Sequence, residues 1–373
     1  MKKRGLVVIY DPHALMQFLQ FYCMKDHAEI QWDALCLPKE NGRQEMDTFC
    51  EKTGIFNKIY SSDIEFMNLP VIKKIGLFFP MFFYAISGKQ KKFVVKICNT
   101  MVDDIEAYDY YAANCESGFM AGMMASFASE KTTVYFEDGS ADYMIARKKN
   151  QSFFKKGSFM NFQCVLMSKM GYCGKGYTHF EPTKNCYKYA SVPEELLYKY
   201  YKEINRFHFT PDQNAKYKAI LKKMYPELEL YEHINSDCNL VFTIPVTSRN
   251  QFADEYIEKY QKYIDAHATE IYLKRHPRDK REFSFDDKLT VHEIPQDIPA
   301  EVIFPYFARC KCYMMEPDSL ILNMSQHNMS VVVLYFDKYS IEESNLFNNW
   351  KNKDSFKAYC ERFIKGNYQI IDL

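Results

Sequence analysis

Apolar positions along this chain recur in two alternating patterns. Short β-branched or aromatic runs read as strands, and runs with apolar residues three and four apart read as helices. Leu6 to Tyr10 predicts a first strand, and Asp11 with Pro12 announces a helix through Ala14 to Met24. Strands are expected at Asp33 to Pro38, Lys58 to Tyr60, Phe93 to Cys98 and Ile105 to Tyr108, with a helix at Met46 to Thr53. Asn114 to Ser129, rich in small residues and methionine, reads as a helix close to a sheet, and Thr133 to Phe136 as the next strand. The pattern weakens between Asn150 and Pro193, where the first domain is expected to end, and Pro193 to Arg206 and Asp212 to Met224 read as helices.

The alternation resumes at Asn239. Strands are expected at Leu240 to Ile244, Glu270 to Lys274, Leu289 to Glu293, Lys311 to Met315 and Val331 to Tyr335. Helices are expected at Phe252 to Ala268, Pro299 to Arg309, Ser319 to Gln326 and Ser355 to Ile364. Strands separated by helices predict parallel sheets covered on both faces. The expected fold is α/β with two halves, residues 1–190 and 191–373, and a cleft between them.

Polar residues then collect where strands stop, which is the ligand edge of a parallel sheet. Glu137, Asp138 and Gly139 follow Thr133 to Phe136, and Gly139 lets the backbone turn or approach a ligand. The same Asp-Gly pair is also an ordinary turn. In the second half, Thr247, Ser248 and Arg249 follow one strand, and Lys274-Arg275-His276-Pro277-Arg278 follows the next. Pro277 holds His276 out of helical geometry, and the surrounding cations suit a phosphate. That histidine either passes a proton to a leaving group or serves a basic surface turn. Glu301 and Ser319 each open a helix, where a carboxylate suits the dipole and a serine either caps or helps bind phosphate.

Composition narrows this picture. At 373 residues, with 47% hydrophobic and 16% aromatic content, the chain holds two ordinary cores. Basic and acidic residues balance at 48 each, so no overall field points to nucleic acid. Twelve cysteines at irregular spacing, without a Cys-x-x-Cys pair, give zinc little support and suit a reducing cytoplasm. Asp103-Asp104 and Asp286-Asp287 lie at no clear strand edge, so no metal is expected. The longest apolar segment, Ile75 to Ser87, falls short of a membrane span. Lys73, Lys74, Lys89, Lys91 and Lys92 flank it, so it reads either as a buried element or as a rest on an anionic membrane surface.

Taken in order, Glu137-Asp138-Gly139-Ser140, Lys274-x-His276-Pro277, Pro299-x-Glu301 and Ser319 resemble the motifs of the bacterial sialyltransferases, both lipooligosaccharide and capsular polysialic acid types. The resemblance implies a GT-B fold of two Rossmann-like domains facing each other across a cleft, the C-terminal one binding the donor. It implies an inverting, metal-independent transfer of sialic acid from CMP-sialic acid, with no separate cofactor. Asp138 would be the general base, with Glu137 the other candidate and Asp254-Glu255 a remote fallback. His276 would act on the leaving phosphate, Glu301 would hold the cytidine, and Ser319 would touch phosphate. Gly139, Ser140, Thr247, Ser248, Lys274 and Pro277 would complete the substrate contacts. Asp318 stands where the family often has a hydroxyl, which sets an unfavourable charge beside that phosphate.

The expected partners are a CMP-sugar and an oligosaccharide or glycolipid acceptor, met in the cytoplasm or at the inner face of its membrane. A homodimer is compatible with these features. Two other readings stay open: an inverting transferase of the same fold using CMP-Kdo, and a non-catalytic glycan- or nucleotide-binding protein.

Overall fold

The computed structural model describes residues 2–25, 29–37, 43–62, 76, 79–80, 83, 87, 90–114, 131–137, 143, 186–196, 201–234, 237–243, 251–277, 279, 281–308, 310–315, 320–324, 327, 329–339, 352–364 and 366–373. The expected helix from Asn114 to Ser129 lies outside these residues but for Asn114. The chain forms two compact units, Met1–Met224 and Tyr225–Leu373.

The first unit is built on a seven-stranded sheet in the order β3-β2-β1-β4-β5-β6-β7. Its strands are β1 (Lys3–Ile9), β2 (Ile30–Cys36), β3 (Phe56–Ser61), β4 (Tyr110–Ala113), β5 (Thr132–Phe136), β6 (Cys186–Ala190) and β7 (Glu203–Arg206). All neighbours pair in parallel. The chain winds outward one way from β1 to β3 and then the other way from β4, so the order reverses between β1 and β4. Helices α1 (Pro12–Met24), α2 (Arg43–Thr53), α3 (Gln90–Cys98) and α4 (Pro211–Met224) belong to this unit.

β1 and β2 are buried over most of their length, and Phe18 of α1 meets Trp32 of β2 edge-on at 5.0 Å. Gly5 sits opposite Trp32 in the register, and a Cβ there would lie 2.5 Å from the indole ring. Glycine is therefore needed at this point for close approach rather than for flexibility. Asp33, inside β2, ties three strands together. Its carboxylate accepts from Arg4 Nη2 at 3.1 Å, the Lys58 amide at 3.1 Å and the Tyr108 hydroxyl at 2.8 Å.

The second unit carries a six-stranded parallel sheet in the order β10-β9-β8-β11-β12-β13. Its strands are β8 (Asn239–Phe242), β9 (Glu270–Lys274), β10 (Thr290–Ile294), β11 (Lys311–Met314), β12 (Ser330–Tyr335) and β13 (Tyr368–Asp372). Helices α5 (Ala253–His267), α6 (Ala300–Ile303), α7 (Leu320–Met324) and α8 (Lys353–Phe363) accompany it. The order again reverses once, between β8 and β11. Tyr260 of α5 spans that point from below, its hydroxyl 3.0 Å from the Phe242 carbonyl and 3.2 Å from that of Tyr313. A disulfide joins Cys238 and Cys310, the residues that precede β8 and β11. This pair departs from the reduced thiols that the cysteine spacing suggests, while seven other cysteines among the described residues are buried and outside any disulfide.

Two doubly wound parallel sheets in one chain are the two-unit α/β composition that the pattern predicts, and the Rossmann-like pair that the resemblance implies as GT-B. Three expectations change. Residues 191–224 complete the first unit instead of opening the second. β7 pairs with β6, and α4 docks on α1, where Gln213 Nε2 donates to the Met24 carbonyl at 2.9 Å. Phe93 to Cys98, read as a strand from its two valines, lies within α3. Lys92 and Lys96 fall one turn apart on its exposed side while Cys98 is buried, a helical rather than a two-residue period. Pro193 to Arg206 is not a helix: a short 3-10 turn, Pro193–Glu195, precedes strand β7. A fourth changes as well: Ile105 to Tyr108 is not a strand, since Ile105–Ala107 is a 3-10 turn that precedes β4, and β6 and β13 form where no strand was expected.

Candidate functional site

In the first unit, three segments reach the carboxyl edge of the sheet near its reversal point. β1 ends at Ile9, and Asp11 caps α1 by accepting from the Ala14 amide at 2.9 Å. His13, half-buried, lies in the first turn of that helix, and Gln17 is one turn further on the same face. Gln17 Nε2 donates to the Glu137 carbonyl at 2.6 Å, which holds α1 against the end of β5.

Glu137 is where the sequence places it, directly after β5, but its side chain points inward and is only 1% exposed. One carboxylate oxygen accepts from the Ser191 amide at 2.8 Å and from the Tyr143 hydroxyl, and the other from the Ser191 hydroxyl. Tyr143 in turn accepts from the Val192 amide at 3.2 Å. Burial pushes the Glu137 carboxyl up from the ordinary range, against the pull of Ser191, Tyr143 and the charge of His13. A carboxyl enclosed this way braces the ends of β5 and β6 and does not reach an acceptor hydroxyl. Lys188 does the same from β6, its buried Nζ 3.0 Å from the Phe136 carbonyl. Asp138, Gly139 and Ser140 lie outside the described residues.

The second unit places Lys274, His276 and Pro277 together at the ends of β8, β9 and β10. Lys274 ends β9 and is 2% exposed. Its Nζ donates to the carbonyls of Pro295 at 3.0 Å, Gln296 at 3.1 Å and Arg275 at 3.3 Å. Burial lowers its pKa to about 8, and the charges of Asp297 and Glu301 oppose that fall. Lys274 thus holds the β10 exit loop against β9, and its reach toward a phosphate is taken up by those carbonyls.

His276 is half-buried and fixed through its backbone. Its amide donates to Thr243 Oγ1 at 3.0 Å, while its carbonyl accepts from the Asp279 amide at 2.8 Å and Gln296 Nε2 at 3.3 Å. Gln296 also donates to the Asp279 carbonyl at 3.0 Å. Arg275 Nη2 donates to that same carbonyl at 3.1 Å and to the carbonyl of Arg281. The turn after β9 is therefore pinned from both sides. Pro277 is exposed, and Glu301 is half-buried in the first turn of α6, where its charge acts on the Lys274 ammonium. Thr247, Ser248 and Ser319 lie outside the described residues, and so does Arg278.

The sequence reading missed Ser191, Tyr143, His13 and Gln296. Ser191 meets Glu137 through the pairing of β5 with β6, whereas Tyr143 reaches it from six positions downstream. His13 had a local signal, an Asp-Pro-His helix start directly after the first strand. Among the described residues, no group of three or more His, Cys, Asp or Glu side chains is placed to hold a metal ion. None of the described helices is long and apolar enough to cross a membrane.

No family model matches this sequence, and no curated protein matches it either. Solved structures resemble it at low identity. The UDP-GlcNAc 2-epimerase from Methanocaldococcus jannaschii has a TM-score of 0.49 at 11% identity, over 97% of this chain and 92% of that one. MurG from Acinetobacter baumannii has 0.45 at 11%, over 100% and 86%. The glycosyltransferase SnogD from Streptomyces nogalater has 0.47 at 11%, over 90% and 82%. At this level of likeness none of them informs the substrate of this chain.

Proposed function

We propose that this chain is an inverting, metal-independent glycosyltransferase that moves sialic acid from CMP-sialic acid to a glycan of bacterial lipooligosaccharide or capsule. The observation that carries the proposal is the pinned His276 turn. It sets an imidazole at the carboxyl edge of a Rossmann sheet, beside the strand where the order reverses, with Glu301 opening a neighbouring helix. That edge is where such sheets bind nucleotides. The ordered motifs that resemble the sialyltransferases supply the choice of sugar.

In this reaction the acceptor oxygen forms a bond to the anomeric carbon as the bond from that carbon to the CMP phosphate breaks. The proton of the acceptor hydroxyl goes to Asp138, and His276 donates a hydrogen bond or proton to the departing phosphate oxygen. Glu137, enclosed by Ser191 and Tyr143, would brace the strand end that precedes Asp138 in the sequence. Glu301 would hold the cytidine, with Thr247, Ser248 and Ser319 near the phosphate. The enzyme would work in the cytoplasm and meet its acceptor at the inner face of the membrane.

A second reading of the base has its own observation. His13 stands on the face of α1 that Gln17 fastens to Glu137, and its charge acts on that buried carboxyl. An imidazole at a helix start near a buried carboxyl is a second candidate for the base.

The test is CMP release from CMP-N-acetylneuraminic acid with lactoside and sialylated acceptors in EDTA. It compares the wild type with Asp138→Ala, His13→Ala and His276→Ala. Loss of turnover in Asp138→Ala and His276→Ala with CMP still bound supports the main scheme. An active Asp138→Ala beside an inactive His13→Ala moves the base to His13. Release from CMP-Kdo alone replaces the sugar, and CMP binding without any release makes the chain a binding protein.

A further inference from the structure

The chain is neutral overall, yet its charge is not evenly spread. From Phe66 to Val102 it has Lys73, Lys74, Lys89, Lys91, Lys92 and Lys96 and no aspartate or glutamate. Between the lysines runs the aromatic segment Ile75 to Ser87. Within that segment the described residues Phe79 and Phe83 are 60% and 66% exposed. They lie one helical turn apart, and Ser87 continues the turn by donating its amide to the Phe83 carbonyl at 3.0 Å. Four positions is the spacing that sets two side chains on one face of a helix. Among the described residues only Leu230 is another large apolar side chain so exposed. On α3, Lys92 and Lys96 are exposed with the same one-turn spacing.

We propose that Phe79 and Phe83 form a docking face for an anionic bilayer, with the lysines of this stretch engaging its headgroups. Exposed aromatic rings and exposed ammonium groups within one stretch of chain match the two layers that such a surface offers, an acyl boundary and a sheet of negative charge. Charge decides against a second copy of the chain as occupant. Two such faces would bring like charges together with no acidic residue in the stretch to offset them. Neither the rings nor the lysines hold a protein firmly by themselves, because stable peripheral binding takes two signals. The inference deepens the proposed function by placing its acceptor at a membrane, and it rests on that reading only for the acceptor.

The experiment is flotation of the full-length protein with vesicles of phosphatidylcholine alone or with phosphatidylglycerol added. Turnover of a soluble acceptor is measured in parallel. The wild type is expected to float only with the anionic vesicles and to be released by high salt. Lys92→Gln with Lys96→Gln should weaken partitioning by roughly 25-fold, about fivefold for each lysine. Phe79→Ser with Phe83→Ser should weaken it by about tenfold or more. Both double variants should keep the wild-type unfolding midpoint and soluble turnover, so failure of the proposed function shows separately. A wild type that stays with the protein fraction, or variants that float as it does, would overturn the proposal. So would self-association lost in Phe79→Ser/Phe83→Ser without flotation of the wild type.

Discussion

The carboxyl edges of the two sheets solve a similar problem with opposite charges. In the first unit the strand end delivers a carboxyl, Glu137, to the interior, where two hydroxyls and an amide surround it. In the second it delivers an ammonium, Lys274, to three backbone carbonyls. Among the described residues neither has an oppositely charged side chain as a hydrogen-bond partner. Burial drives both toward neutrality, the carboxyl by a raised pKa and the lysine by a lowered one. In each case the residue expected to do chemistry follows within two positions, Asp138 after Glu137 and His276 after Lys274. In both units the buried ionisable group ties neighbouring strand ends together. Under the proposed scheme, bracing falls to Glu137 and Lys274 and chemistry to their neighbours Asp138 and His276.

The comparison breaks first at catalysis. If bracing and chemistry are separate, His276→Ala should lower turnover by roughly 100-fold or more, while Glu137→Gln with an intact fold should lower it far less. Equal losses in steady-state assays would make Glu137 a reacting group.

The units should also differ in their response to reduction. The Cys238–Cys310 disulfide closes a loop with a sequence separation of 72, and no disulfide occurs among the described residues of the first unit. Dithiothreitol or Cys238→Ser should destabilise the second unit by about 4 kcal/mol and leave the first unchanged, read from denaturant unfolding with probes in each.

The two buried charges predict opposite dependences on pH. Lys274 holds a lower pKa folded than unfolded, so the unfolded chain binds more protons above about pH 8. Its contribution to stability is present above the ordinary lysine range and is lost as pH falls through about 8. The second unit should gain up to about 3 kcal/mol between those limits, and Lys274→Met should flatten that rise. Glu137 has a raised folded pKa, so its contribution is present below the ordinary carboxyl range and is lost as pH rises through the folded value. Glu137→Gln should therefore flatten a fall in the stability of the first unit above about pH 5, measured by denaturant titration at several pH values. A slope of the same sign in both variants would end the parallel.

The smallest effect tests packing alone. Gly5→Ala would press a methyl group into the Trp32 ring and should cost the first unit about 1–3 kcal/mol without changing donor binding.

Much of this was legible in the chain. The apolar runs marked β1, β2, β5, β8, β9, β11 and β12, and their alternation with helices indicated parallel sheets. The position of polar residues just after those strands pointed to the edges where Glu137 and His276 stand. What failed were the short or mixed elements. The two valines of α3 suggested a strand because β-branched residues favour one, and the helical spacing of its lysines and its buried Cys98 had the stronger claim. Residues 203–206 carry little apolar signal of their own and become β7 because β6 offers them an open edge.

By itself, then, the sequence determined the class of fold, the two-sheet composition and which residues sit at strand ends, since these depend on local periodicity and on where a strand must stop. Tertiary structure decided the unit boundary at Met224, because α4 finds its partner in α1, far away in the chain. It also decided which charged residues face inward. Ser191 reaches Glu137, and Pro295 and Gln296 reach Lys274, only after distant segments have paired. Whether an ionisable side chain becomes a brace or a reactive group depends on those partners, and no local pattern in a chain specifies them.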